Sequence, residues 1–62
     1  MCEFKVFLDG EKVFEDAVYL KVIEDCICLK DVLGRSKEIR NSRIIEVDVN
    51  SERLVIARIN DR

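Results

Sequence analysis

The sequence predicts a small all-β barrel of five to six short antiparallel strands. Three observations carry this. Fifteen of the 62 residues are Val or Ile, spread over every segment, and β-branched side chains suit a pleated, half-buried surface. No segment sustains an apolar i, i+3, i+4, i+7 pattern over three turns, which removes the amphipathic helix. Turn signals recur at hairpin spacing, so short strands are repeatedly sent back on themselves. A closed barrel is the economical way to leave no exposed edge.

The first strand is Cys2-Glu3-Phe4-Lys5-Val6-Phe7-Leu8. Cys2, Phe4, Val6 and Leu8 share one face, Glu3 and Lys5 the other, which is the period-two pattern of a half-buried strand. Phe7 interrupts the polar face and covers an edge or an interface. Asp9-Gly10 is the strongest hairpin signal in the chain, and it folds Lys12-Val13-Phe14-Glu15 back. Glu15-Asp16 begins a bend. From Ala17 to Ile23, Val18, Leu20 and Val22 face one way and Tyr19, Lys21 and Ile23 the other. Glu24-Asp25 is a two-residue connection.

The stretch from Asp25 to Asp48 organises the rest. Cys26 to Lys30 is a strand with Ile27 and Leu29 as core candidates, while Cys26, Cys28 and Lys30 face a second layer or lie just below the surface. Asp31-Val32-Leu33-Gly34 closes it, with Gly34 available for a positive φ. Ser36 to Arg40 runs back. Asn41-Ser42 breaks the run because both side chains compete for local backbone hydrogen bonds, and Asn41-Ser42-Arg43 is expected to form a single helical or 3₁₀ turn at a barrel corner. Ile44 to Val49 is the next strand, with Ile45, Val47 and Val49 alternating with Ile44, Glu46 and Asp48. Asn50 to Arg53 turns, Leu54 to Ile59 is the last strand, and residues 60–62 are expected to fray.

Sixty-two residues make one domain, 1–62. A chain of this length buries only about 60% of its unfolded surface, so a disulfide, a metal or a second chain is expected to help hold it. Three cysteines are an odd number, which argues against a disulfide framework. Glu3, Lys5 and Asp9 interrupt any signal-peptide core, and the longest apolar runs are four residues, as in Ala17-Val18-Tyr19-Leu20. These features predict a cytoplasmic protein with reduced thiols, held by a metal or a second subunit. The net charge of −2 is unevenly spread. Residues 1–31 carry eight acidic and four basic side chains, residues 32–62 five and seven. Arg35, Lys37, Arg40 and Arg43 give the 34–43 hairpin region a net +3 after Glu38 is counted, a modest patch beside that of a dedicated nucleic-acid binder.

There is no histidine, so the usual neutral-pH acid–base group and the commonest metal imidazole are missing. Ser36, Ser42 and Ser51 have no activating base, and two glycines cannot build a phosphate loop. The pairs Glu15-Asp16 and Glu24-Asp25 fall in expected bends, where solvated turns explain them. The chain is not expected to be an enzyme. Cys2 is the best site candidate. Its small side chain favours removal of Met1, which would leave an α-amine and a thiolate on one residue. With Met1 kept, the thiolate and nearby backbone nitrogens remain donors. Such a set suits borderline divalent metals, and square-planar sets favour Ni(II) or Cu(II). One chain offers too few donors, and two chains about a twofold axis would supply both halves. The alternative is that Cys2 is a small apolar residue packed beside Phe4 and Val6. Cys26 and Cys28 could share an ion as same-face thiols or act as buried small hydrophobes. Arg35, Lys37, Arg40 and Arg43 could touch RNA phosphates or form a solvated hairpin tip beside Glu38, Glu46 and Asp48.

The Met1-Cys2 start, Lys5-Val6, the Asp9-Gly10 turn, Glu15-Asp16-Ala17 with Val18 and Val22, Leu29, the Asp31-Val32-Leu33-Gly34 turn and Ile44 with Glu46-Val47-Asp48 together resemble the CooT family. These are small nickel-binding accessory proteins linked to maturation of the nickel site of carbon monoxide dehydrogenase, and relatives have been labelled predicted RNA-binding proteins. The resemblance covers nearly the whole chain. It implies an SH3-like or Sm-like small barrel that works as a homodimer, with about one Ni(II) per dimer held through Cys2 of each subunit. It also implies a nickel enzyme or its maturation machinery as partner. Cys26 and Cys28 are not part of the family pattern. The alternative function is an RNA-binding small barrel using the basic 34–43 region.

Overall fold

Asp9 and Gly10 both take positive φ, 51° and 88°, the backbone that a tight hairpin loop requires and that Asp and Gly tolerate. This reversal joins β1 (Phe4–Leu8) to β2 (Glu11–Ile23) as an antiparallel pair, with Leu8 opposite Glu11. The structure is a computed structural model and describes residues 3–59.

β2 runs for 13 residues where the sequence suggests two short runs around a bend. The bend is present as a bulge. Asp16 has φ 58°, and the register with β1 slips between Phe4↔Ala17 and Val6↔Phe14. An inserted residue bends a strand without ending it. The first part of β2 therefore pairs with β1 and the remainder with β3 (Cys26–Asp31), from Ala17↔Asp31 to Ile23↔Cys26. A second irregularity, in the pairing with β3 between Ala17↔Asp31 and Tyr19↔Lys30, leaves Val18 exposed although alternation puts it with Leu20.

β3 returns as β4 (Ser36–Ile39) around a turn built on Asp31. Asp31 is only 5% exposed. Its Oδ1 accepts from the backbone N–H of Leu33 at 3.0 Å and of Arg35 at 2.8 Å, and its Oδ2 from Arg35 Nε at 2.8 Å. Gly34 has φ 87° and donates its N–H to the Asp31 carbonyl. Burial pushes the Asp31 carboxyl up, but the hydrogen bonds from Arg35 and Leu33 outweigh it and hold the group below the usual carboxylate range.

β5 (Ser42–Asp48) and β6 (Arg53–Arg58) form the last antiparallel pair. The strand order is β4-β3-β2-β1-β6-β5. Two features differ from the all-antiparallel closed barrel. β1 and β6 are parallel, from Lys5↔Arg53 to Leu8↔Ile56, and the six-stranded sheet stays open, with β4 and β5 at its edges. The result is a barrel-like all-β fold whose two edges approach at one corner. There Asn41 adopts φ 55°, and Ser42 already belongs to β5, so the expected 3₁₀ turn at 41–43 is absent. The polar groups of the corner are satisfied without it. Ser42 donates its N–H to Asp25 O at 3.0 Å and its Oγ–H to Ile39 O at 3.0 Å, while Asn41 O accepts from Ile59 N at 2.8 Å.

The core is Val6, Ala17, Ile27, Leu29, Ile39, Leu54 and Ile56, with Phe4, Leu8, Val13, Phe14 and Leu20 packed against it. Ile27 and Leu29 occupy the centre, as their alternation predicts. Phe7 faces away and carries the Arg53 guanidinium over its ring at 5.7 Å. No described helix is long and apolar enough to cross a membrane.

Candidate functional site

Cys2 lies outside the described residues, which begin at Glu3, one position before β1. Phe4 lines an apolar groove of about 330 Å³ with Val18, Tyr19 and Leu20 of β2 and Ile44 and Val47 of β5. Its two β5 residues belong to a strand with several exposed apolar side chains. Along β5 and the turn after it, Ile44, Ile45, Val47 and Val49 are between 36% and 62% exposed. A run of exposed branched side chains on one strand is more than the scattered apolar residues of an ordinary surface.

A second cluster lies on the opposite face of β3 from Ile27 and Leu29. Cys26 and Cys28 are both free thiols and half-buried. In register, Cys26 lies opposite Ile23 of β2, and Cys28 lies between Lys21 of β2 and Glu38 of β4. One ligand atom from each of Cys26, Cys28 and Glu38 falls within 4.8 Å of the others, and Cys28 Sγ is 4.0 Å from Glu38 Oε2. Burial, then the neighbouring Cys28 and Glu38, push the Cys26 thiol up, against the pull of Arg40. The two thiols thus sit on the outer layer, and a core-hydrophobe role does not describe them. Sequence reasoning missed Glu38. The signal was present: once the Asp31-to-Gly34 turn fixes Lys30 opposite Ser36, counting two residues away from the turn on each strand puts Cys28 opposite Glu38.

Of the four basic residues, Arg35 and Lys37 line one groove and Lys37 and Arg40 a neighbouring one. Arg35 is committed to Asp31 at the turn, and Lys37 Nζ donates to Val13 O at 3.2 Å. Arg40 borders the groove beside Cys26, and Arg43 is on β5 opposite Ala57. The carboxylate pairs serve turns and ion pairs. Glu15 is held below its ordinary range by its hydrogen bond and ion pair with Lys12, Asp16 forms the bulge, and Glu24 turns the β2–β3 hairpin with φ 54°.

Comparison with solved structures finds the same fold in one assigned as CooT from Carboxydothermus hydrogenoformans. The TM-score is 0.84 at 22% sequence identity, over 95% of this chain and 100% of that one. Comparison with curated proteins finds no match. The sequence model of the family described as CO dehydrogenase accessory protein CooT matches residues 1–57. Such proteins assist carbon monoxide dehydrogenase and are not enzymes themselves. With nearly the whole chain inside that match, and with its fold shared by a CooT structure, the chain belongs to the CooT family of carbon monoxide dehydrogenase accessory proteins.

Proposed function

We propose that this chain is a cytoplasmic Ni(II) carrier for the maturation of a nickel enzyme such as carbon monoxide dehydrogenase. The ion is cargo, held by the Cys2 thiolate and adjacent nitrogen donors of each subunit of a homodimer. The observation that carries this reading is the span of the family match, which starts at residue 1 and so includes Met1-Cys2. Thiolate and nitrogen donors suit Ni(II). One chain supplies half a square-planar set, and a twofold axis supplies the other half.

The apolar groove supports the homodimer. It reaches β1 at Phe4, two residues from Cys2, and it is lined by the exposed Ile44 and Val47 of β5. A second copy seated on that face buries it and brings the two Cys2 residues toward the axis. A site shared between chain ends also suits cargo, since it can open without disturbing either core.

Native mass spectrometry of the untagged, reduced protein titrated with Ni(II) tests this. The expected result is a dimer with one nickel, and a Cys2→Ser variant that stays dimeric and takes up none. Nickel that survives Cys2→Ser but is lost in Cys26→Ser overturns the assignment. RNA binding has no comparable support, because two of the four basic side chains are already engaged, Arg35 with Asp31 and Lys37 with the Val13 carbonyl.

A further inference from the structure

We propose that Cys26, Cys28 and Glu38 form a second metal site, one on each chain, which takes a thiophilic divalent cation of the Zn(II) type with a fourth position left open.

The site follows from strand geometry. Residues i and i+2 of a strand project from the same face, so Cys26 and Cys28 are held side by side by the backbone of β3. β3 is hydrogen-bonded on both sides, to β2 and β4, which makes it a stiff support. The hairpin register brings Glu38 alongside as the third donor. Tetrahedral zinc has bonds of about 2.3 Å to sulfur and 2.0–2.2 Å to carboxylate oxygen, which puts ligand atoms roughly 3.5–3.8 Å apart at the edges of the tetrahedron. The Cys28 Sγ to Glu38 Oε2 distance is 4.0 Å, and the whole set lies within 4.8 Å. Side-chain rotations of less than about 1 Å close the remaining gap.

The donor chemistry selects the ion. Two thiolates favour Zn(II) and similar ions over Mg(II) or Ca(II), which require oxygen. The thiols bind as thiolates, so binding is coupled to proton release. Two thiolates and a carboxylate leave a divalent ion with one excess negative charge. Arg40, which borders the same groove, and Lys21, opposite Cys28 in the β2–β3 register, are placed to offset it. That groove, lined by Ile23, Glu24, Asp25 and Arg40 beside Cys26 and Glu38, opens to solvent and gives the ion its path and its fourth ligand. Three protein ligands and an open position are the pattern of a reactive or transferring site, whereas a purely structural one is closed by four.

The site does not depend on Cys2, and the test separates the two. Untagged protein carrying Cys2→Ser is titrated, reduced and without chelator, with Co(II) as the optical stand-in for zinc. The expected result is one Co(II) per chain, with thiolate-to-cobalt charge-transfer bands in the near ultraviolet and intense visible bands of tetrahedral geometry, all bleached by equimolar Zn(II). Adding Cys26→Ser or Cys28→Ser abolishes the charge-transfer intensity or halves it with a loss of affinity. Glu38→Gln keeps the thiolate bands but weakens binding by at least the roughly 10- to 100-fold that changes outside the ligand shell cost. Glu38 is exposed, so this variant folds even where a cysteine variant does not. Absence of the bands in the Cys2→Ser protein overturns the proposal, as does Co(II) affinity unchanged by Glu38→Gln.

Discussion

β3 has paired strands on both sides and buries Ile27 and Leu29 completely, whereas β5 pairs as a strand only with β6 and leaves Ile45 and Val47 48% and 54% exposed. The two strands are similar in composition, Cys-Ile-Cys-Leu-Lys-Asp against Ser-Arg-Ile-Ile-Glu-Val-Asp. Their place in the strand order separates them. A strand inside the sheet is covered by its neighbours' side chains and by the curl of the sheet. An edge strand has one flank and part of one face uncovered. Each large apolar side chain fully buried contributes about 1.5–3 kcal/mol. β3 therefore realises its apolar content within the fold, and β5 leaves much of its own exposed.

The sharpest way to break this contrast is to truncate the interior strand. Leu29→Ala should cost about 2–5 kcal/mol, a large share of what a domain this small has. Urea denaturation followed by circular dichroism reads it, and a loss under 1 kcal/mol would mean the core is less closely packed around β3 than the burial implies. On the edge strand the expected effect moves from folding to association. Val47→Asp places a charge in the apolar groove and should weaken self-association at least about tenfold, or roughly 1.4 kcal/mol, with the monomer still folded. Sedimentation velocity separates the outcomes, and an unchanged oligomeric state would remove β5 from the interface.

Two smaller effects test the turns that set each strand's position. Asp31→Asn keeps an acceptor for the backbone N–H of Leu33 and Arg35 but loses the ion pair with the Arg35 side chain. Because the native Asp31 carboxyl is held below its ordinary range, its contribution is present above the unfolded value of about 3.9 and fades as pH falls through the lower native one. The variant should be less stable than the parent at neutral pH, and the gap should close in acid, as thermal melts at a series of pH values would record. A gap independent of pH would assign the role of Asp31 to shape alone. At the β5–β6 turn, Glu52 holds φ 55°, a backbone that costs a non-glycine residue about 1–2 kcal/mol. Glycine relieves this but adds its own entropy cost, so Glu52→Gly should raise stability by only about 0.5 kcal/mol, near 2–4 °C in Tm. A fall in Tm would mean that the half-buried Glu52 side chain contributes more than its backbone strain costs.

Local chemistry explains which parts of this fold were legible in the sequence. Asp9-Gly10, the alternation of Val6 and Leu8, and the core positions Ile27 and Leu29 are all set within a few residues, and they read directly. The parallel pairing of β1 with β6 has no local signal, because Lys5 and Arg53 meet only through the folding of everything between them. The continuity of β2 was hidden because Glu15-Asp16 is a turn-like pair that the sheet accommodates as a bulge. At the corner, tertiary hydrogen bonds from Ser42 to Asp25 and from Ile59 to Asn41 replace the local helical turn. The Cys26 and Cys28 thiols read as a same-face pair, but Glu38 joins them only when the hairpin register is counted. Alternation alone also could not say that β5 would lie at an edge.

The pairing of β1 with β6 also sets the order in which the chain can fold as it is made. β1 emerges first, but one of its two hydrogen-bonded flanks is not synthesised until Arg53 to Arg58 appear. At roughly 5–20 residues per second the first strand waits some seconds with that flank open. Pairings this distant along the chain also close slowly, because the loop entropy is lost before the contacts form. The sheet therefore completes only once β6 has been made and has paired with β1. A ligand that needs β1 held on both flanks would accordingly bind only after β6 is in place.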